Sequence, residues 1–219
     1  MKRLIQDRST PLVYVITDRR LLFPQARIRE LTFLIEFTER AVAAGVDIVQ
    51  IREPDLSARD LLSVVEATAE LSYKSGGGVL INDRADIAVC AAAGVHLTTR
   101  SLSAEVVRRS FGPELMIGVS THSIEEAKAA ECGGADFIVF GPVFQTASKK
   151  QYGEPVGLEA LRRVAAGLSI PVLALGGINP TNFREALDTG AKGIAGISMF
   201  AKAPDLNSLV ATIKGHGVA

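Results

Sequence analysis

The sequence predicts a single (β/α)8 TIM barrel, one domain over residues 1–219. Eight short apolar runs alternate with segments of helical periodicity, with no repeated sequence and no linker. The runs are short and mostly apolar, as expected for parallel strands covered on both faces. Polar residues gather just past the ends of those runs, where the sites of such barrels lie. With 47% hydrophobic residues the chain can bury one sizeable core. An open doubly wound sheet is the competing architecture, but no G-x-G-x-x-G follows the first strand.

Each element has its own signal. Leu-Val-Tyr-Val-Ile-Thr at 12–17 reads as the first strand, stopping at Asp18. Residues 27–44 place Leu31, Leu34, Ile35, Thr38 and Val42 on one helical face and end at Gly45, a typical C′ residue. The second strand, 46–52, carries Gln50 and Arg52 at its end. Ser57, with Asp60 three residues on, caps a helix over 57–73 that Gly76-Gly77-Gly78 breaks. The third strand, 79–82, ends in Asn82-Asp83-Arg84 and leads to an Ala-rich helix over 85–93. The fourth strand, 94–97, contains His96, and a helix follows over 103–110. The fifth strand, 115–119, ends in Ser120-Thr121-His122, before a helix over 123–132 with Ser123 and Glu126 in capping-box positions. The sixth strand, 135–140, opens a long polar loop over 141–156 and then a helix over 158–166. The seventh strand runs into Gly176-Gly177, and the next helix is expected to start with Asn179 as N-cap and Pro180 as its first residue. The eighth strand ends in Gly196-Ile197-Ser198, and 205–214 is the last helix.

Composition narrows the function. Lys plus Arg and Asp plus Glu number 24 each, aromatics are 5%, and there is no basic tail, so a nucleic-acid partner is not expected. No apolar run is long enough to span a bilayer, and the N-terminal Met-Lys-Arg-Leu-Ile-Gln-Asp-Arg lacks the apolar core of a signal peptide. Cys90 and Cys132 lack metal-ligand spacing and read as buried, reduced thiols of a cytoplasmic protein.

The polar strand ends supply the candidate site: Arg52, Asn82, Asp83, Ser120, His122, and Thr146, Ser148, Lys149 and Lys150 of the sixth loop. Gly177, Gly196, Ile197 and Ser198 form either a phosphate cradle of backbone N–H groups or merely tight turns. Arg52 could equally pair with Glu53, Asp55 or Asp18, and Asn82-Asp83 could cap the following helix. His122 sits just past a strand end, where an imidazole suits proton transfer near neutral pH. His96 has the position of a satisfied core or rim histidine, and His216 lies in the tail.

The motifs Gln50-Ile-Arg52-Glu53, Asn82-Asp83-Arg84, Gly94-Val-His-Leu97, Gly118-Val-Ser-Thr-His122, Gly134-Ala-Asp-Phe-Ile-Val-Phe-Gly-Pro142, Thr146-Ala-Ser148-Lys149, Gly176-Gly-Ile178 and Gly196-Ile-Ser198 occur in this order. In them the chain resembles the thiamine phosphate synthase/TenI superfamily from Leu12 to about Asp205. The resemblance implies the (β/α)8 fold. It implies a thiazole phosphate held by Thr146, Ser148, Gly177, Ile197 and Ser198, and a diphosphate held by Gln50, Arg52, Asn82, Ser120 and Lys149. Asp83 would be one magnesium ligand of a synthase. Two departures weigh against that reaction. Pro54 stands where the synthase pattern has Lys, and Ser101 where it has the second magnesium-binding Asp. Such a chain is similar to the TenI thiazole tautomerases, which imply a metal-free proton shift with His122 as proton carrier and no cofactor. The alternatives are a divergent magnesium-dependent synthase and a non-catalytic thiazole phosphate-binding regulator. The expected partner is a small thiazole phosphate, with neither nucleic acid nor membrane, in a family whose barrels often pair as homo-oligomers.

Overall fold

In the computed structural model, residues 5, 9–23, 30–74, 76–146 and 154–216 are described. Eight parallel strands close in sequence order: β1 (Leu12–Ile16), β2 (Ile48–Ile51), β3 (Gly78–Asn82), β4 (Gly94–Leu97), β5 (Ile117–Thr121), β6 (Phe137–Phe140), β7 (Val172–Leu175) and β8 (Gly193–Gly196), with β8 pairing back onto β1. The helices are α1 (Arg19–Leu22), α2 (Glu30–Ala43), α3 (Ala58–Lys74), α4 (Ala85–Cys90), α5 (Ala104–Phe111), α6 (Ile124–Cys132), α7 (Gly157–Gly167), α8 (Phe183–Leu187), α9 (Ser198–Ala201) and α10 (Leu206–Lys214). The expected barrel is the observed one.

Strand parity divides the core in two. Val13, Val49, Ile81, Val95, Ile117, Ile138 and Ala174 face the helices in one large cluster. Leu12, Tyr14, Ile48, Leu80, Met116, Phe137, Val139, Leu173 and Ala195 fill the barrel interior in another. Room for the aromatic rings comes from interior glycines: a Cβ on Gly118 would lie 2.3 Å from Phe137 Cζ. Large and small residues thus interlock across the axis, as a close-packed core requires.

The amino ends of two strands are fastened alike. After Gly45 (φ 88°), Asp47 accepts from the N–H of Val13 on the preceding strand. After Gly134 (φ 86°), Asp136 accepts from the N–H of Ile117 on its preceding strand. Lys214 completes the first pair at 2.9 Å and Arg108 the second at 2.8 Å. Both devices lie at the end of the barrel opposite the polar strand ends.

Several expectations are corrected. The helix after β7 begins at Phe183, and Asn179 instead caps a preceding turn by accepting from Thr181 N–H. The helix after β3 stops at Cys90, before Ala92 in the left-handed region. β5 runs two residues further than its apolar pattern because Ser120 and Thr121 still pair with β6. α1 and α9, each four residues, are too short to leave a periodicity. Cys90 and Cys132 are exposed rather than buried. Cys90 lies off the face on which α4 buries Ala85, Ile87 and Ala88, and Cys132 is the last residue of α6. No helix among the described residues is long and apolar enough to cross a membrane.

Candidate active site

Five inward-facing polar side chains meet at the carboxyl end of the barrel. Tyr14 Oη lies 3.0 Å from Gln50 Oε1 and 3.0 Å from His96 Nδ1. His96 Nε2 lies 2.8 Å from Ser120 Oγ, and Gln50 Nε2 donates to Asn82 Oδ1 at 2.9 Å. Tyr14, Gln50 and His96 are buried, whereas Asn82 and Ser120 are half-buried. Burial lowers the His96 pKa to about 3, and the positive charge of Arg52 adds to the effect. The ring is therefore neutral at physiological pH, since charging it would need desolvation that nothing offsets. Burial likewise pushes the Tyr14 phenol well above its ordinary value.

Among the described residues Arg52 makes no ion pair with the carboxylates that could have neutralised it. Arg19 takes two of them, Glu53 at 2.9 Å and Asp55 at 2.6 Å, and also contacts Glu30 at 2.8 Å, while Asp18 accepts from Leu21 N–H. Thr17 ties the arrangement together, donating to Glu53 and accepting from Arg52 N–H. The Arg19 hydrogen bond holds Asp55 well below the usual carboxylate range. Burial instead raises Glu53. Arg52 is exposed beyond this network, close enough to bias the His96 ring. Asn82 and Asp83 do not cap α4, whose N-cap is Arg84 without a side-chain cap bond. Asn82 is instead held by Gln50, and Asp83 is exposed with φ 64°, a left-handed conformation that Asp tolerates better than most residues.

His122 is at the rim and exposed. Its Nδ1–H donates to the carbonyl of Gly141 at the end of β6. A carbonyl can only accept, so in this tautomer the Nε2 lone pair is an acceptor, with no partner among the described residues. Its own backbone N–H is held by Glu126, in the first turn of α6, and Ser123 caps that helix.

The double glycine has a packing role that its sequence did not disclose. A Cβ on Gly176 would meet Pro142 at 2.5 Å, and one on Gly177 would meet the Gln145 carbonyl at 2.5 Å. The start of the sixth loop lies directly on these residues, fastened by Val143 N–H to Leu175 O and Phe144 N–H to Gly176 O. The backbone N–H groups of Gly177, Ile197 and Ser198 make no hydrogen bond among the described residues. Close approach to the sixth loop therefore accounts for both glycines. Thr146 is half-buried in the same loop. Ser148, Lys149 and Lys150 lie outside the described residues.

A two-carboxylate magnesium site does not fit. Ser101 Oγ accepts from Thr98 N–H at 2.8 Å and closes a turn. Arg100 and Pro54 are exposed. Among the described residues no cluster of three His, Cys, Asp or Glu side chains could hold a metal. Magnesium commonly uses one or two carboxylates with phosphate oxygens and water. The residues present fit only an ion held by Asp83 and otherwise by a substrate diphosphate.

The thiamine monophosphate synthase family model matches residues 13–200. The chain belongs to the thiamine monophosphate synthase family. It is thereby a member of a thiamine-biosynthetic family. A Geobacter sulfurreducens protein named provisionally as a thiamine-phosphate synthase is 47% identical over 194 residues, covering 88% of each chain. A Clostridium novyi thiamine-phosphate synthase is 37% identical over 202 residues, 92% of this chain and 96% of its own. The solved thiamine phosphate pyrophosphorylase of Pyrococcus furiosus superposes with a TM-score of 0.81 at 33% identity, covering 94% of this chain and 95% of its own. These matches do not single out the tautomerase branch that Pro54 and Ser101 suggested.

Sequence reading missed Tyr14 and Arg19. Tyr14 was hidden in an apolar run, yet it shares inward parity with Gln50 and His96. Arg19 follows the end of β1, and only the tertiary fold shows which carboxylates it reaches.

Proposed function

We propose that this chain is a thiamine-phosphate synthase, condensing a pyrimidine methyl diphosphate with a thiazole phosphate. The relatives' names support this reaction over the tautomerisation expected from the sequence. The observation that carries it in the geometry is Arg19's capture of Glu53 and Asp55, so that Arg52, whose charge is felt at His96, makes no ion pair among the described residues. A diphosphate leaving group needs such donors as its carbon–oxygen bond breaks and the carbon bonds to the thiazole nitrogen. Preorganised donors stabilise charge where it develops without reorganising during the reaction. Arg52 donates to the diphosphate oxygens, and the N–H groups of Gly177, Ile197 and Ser198 receive the thiazole phosphate. A magnesium ion held by Asp83 and the diphosphate would neutralise further charge on the leaving group.

The second reading, a metal-free thiazole tautomerase, is favoured by Ser101's hydroxyl in place of a carboxylate and by the bare Nε2 of His122 at the rim. One pair of assays separates them. With magnesium and both condensation substrates, the purified chain is expected to form thiamine phosphate. Absence of that product, together with isomerisation of a carboxythiazole phosphate that His122→Ala abolishes, would establish the tautomerase instead. Arg52→Ala is expected to weaken binding of inorganic diphosphate by roughly 10–100-fold, the worth of a charge-assisted contact. Calorimetric titration measures it, and an unchanged affinity would remove Arg52 from the site.

A further inference from the structure

Ser120, His96, Tyr14, Gln50 and Asn82 form one unbroken chain of hydrogen bonds, with distances of 2.8, 3.0, 3.0 and 2.9 Å. It starts on β5, passes through β4, β1 and β2, and ends on β3. Only its two ends reach the mouth, while the three middle side chains are buried. Each buried member has few hydrogens to distribute. The tyrosine has one, and a neutral imidazole donates through one nitrogen only.

The chain therefore has two self-consistent polarities. In the first, Ser120 donates to His96 Nε2, His96 Nδ1–H to Tyr14, Tyr14 to Gln50 Oε1, and the Gln50 amide to Asn82 Oδ1. The mouth then meets a donor at Asn82, through its amide NH2, and only lone pairs at Ser120. In the second, every bond reverses, with both amides flipped. Asn82 donates inward and shows the mouth its carbonyl, and the Ser120 hydroxyl is released to donate outward. A mixed state would set two donors or two acceptors face to face in the interior, or leave the Tyr14 hydrogen without an acceptor, an unsatisfied buried group that costs more than a normal hydrogen bond gains.

We propose that this relay couples Ser120 to Asn82, so that either residue, but not both, donates to an anionic ligand, with the His96 tautomer recording which. Tyr14 and His96 are thus positioning residues, acting through the two ends. The proposal rests on reading the mouth as an anion site only for its ligand-bound consequences. The relay itself is a property of the free protein.

The tautomer is read by long-range 1H–15N NMR of the intact chain without ligand. Asn82→Asp is an acceptor only and sets the first polarity, giving Nδ1–H at His96, although residue 82 is hydrogen-bonded to Gln50 and not to that ring. Ser120→Asp is an acceptor only at the other end and sets the second, giving Nε2–H. Opposite tautomers support the relay. The same tautomer in both variants, or a doubly protonated ring in either, overturns it.

Titration with inorganic diphosphate tests the consequence for binding. Since one end substitutes for the other, Ser120→Ala and Asn82→Ala are each expected to lower affinity no more than about threefold, and the double variant about tenfold or more, the scale of a hydrogen bond to a charged group. Tyr14→Phe cuts the chain, freeing both ends to donate, so each single alanine then costs about tenfold and the two effects multiply. Multiplicative effects already in the wild-type background overturn the coupling. Opposite tautomers with no diphosphate binding at all would reject the anion-site reading while leaving the relay standing.

Discussion

At His96 the energetics of a buried base become a pH dependence of stability. Its folded pKa of about 3 lies below the ordinary value of 6.5. Between those values the unfolded chain binds more protons than the folded one, so stability rises with pH. The contribution is complete above about 6.5 and is lost as pH falls toward 3. Its slope is up to about 1.4 kcal/mol per pH unit. Glu53 has the opposite sign, because its raised folded pKa removes stability as pH climbs above the unfolded value. Urea titrations of the wild type and His96→Gln between pH 5 and 6.5 separate the two. The variant is expected to show the flatter, or reversed, dependence. Equal slopes would mean that His96 takes up its proton at the same pH folded as unfolded. Little of this was legible in the sequence, where His96 read as a satisfied core residue. Satisfaction is correct, but its partners Tyr14 and Ser120 come from strands 82 and 24 residues away.

At the scale of elements, the short helices are held at the amino end of the barrel by side chains rather than by their own length. Arg108 of α5 donates to the carbonyls of Gly112, Pro113, Leu115 and Gly134 and to Asp136. One guanidinium thereby fixes where α5 ends relative to where β5 and β6 begin. Removing it leaves several half-buried acceptors and a carboxylate without a partner. Arg108→Ala is expected to destabilise the fold by about 2–4 kcal/mol. Urea denaturation should show a lower midpoint at an unchanged slope, with diphosphate affinity unaffected because the mouth is at the other end. Element types were legible from periodicity and caps, and Ser57, Ser103 and Ser123 cap the helices after them. Boundaries were less legible where pairing outlasted the apolar pattern, as at Ser120 and Thr121, or where a turn intervened, as between Asn179 and Phe183.

At the scale of the whole molecule, the barrel interior is a fit of rings against glycines. Gly118→Ala would press a methyl group into Phe137. Overpacking of this kind costs about 1–3 kcal/mol. Phe137→Leu in the same chain should recover part of the loss, which thermal or urea unfolding would detect; no recovery would place the strain in the backbone. By itself the sequence determined the barrel, its strand order, its family and which strand ends carry the polar groups. Those follow from local patterns: apolar runs of strand length, helical periodicity, caps and short motifs. Only the tertiary structure decided how the groups are partnered. It gave Glu53 and Asp55 to Arg19 rather than Arg52, set Gly176 and Gly177 against the sixth loop, and joined Tyr14 to His96. The physical reason is that partnership depends on distance and on strand parity around a closed barrel. Tyr14 on β1 and His96 on β4 become neighbours only when the strands close around one axis.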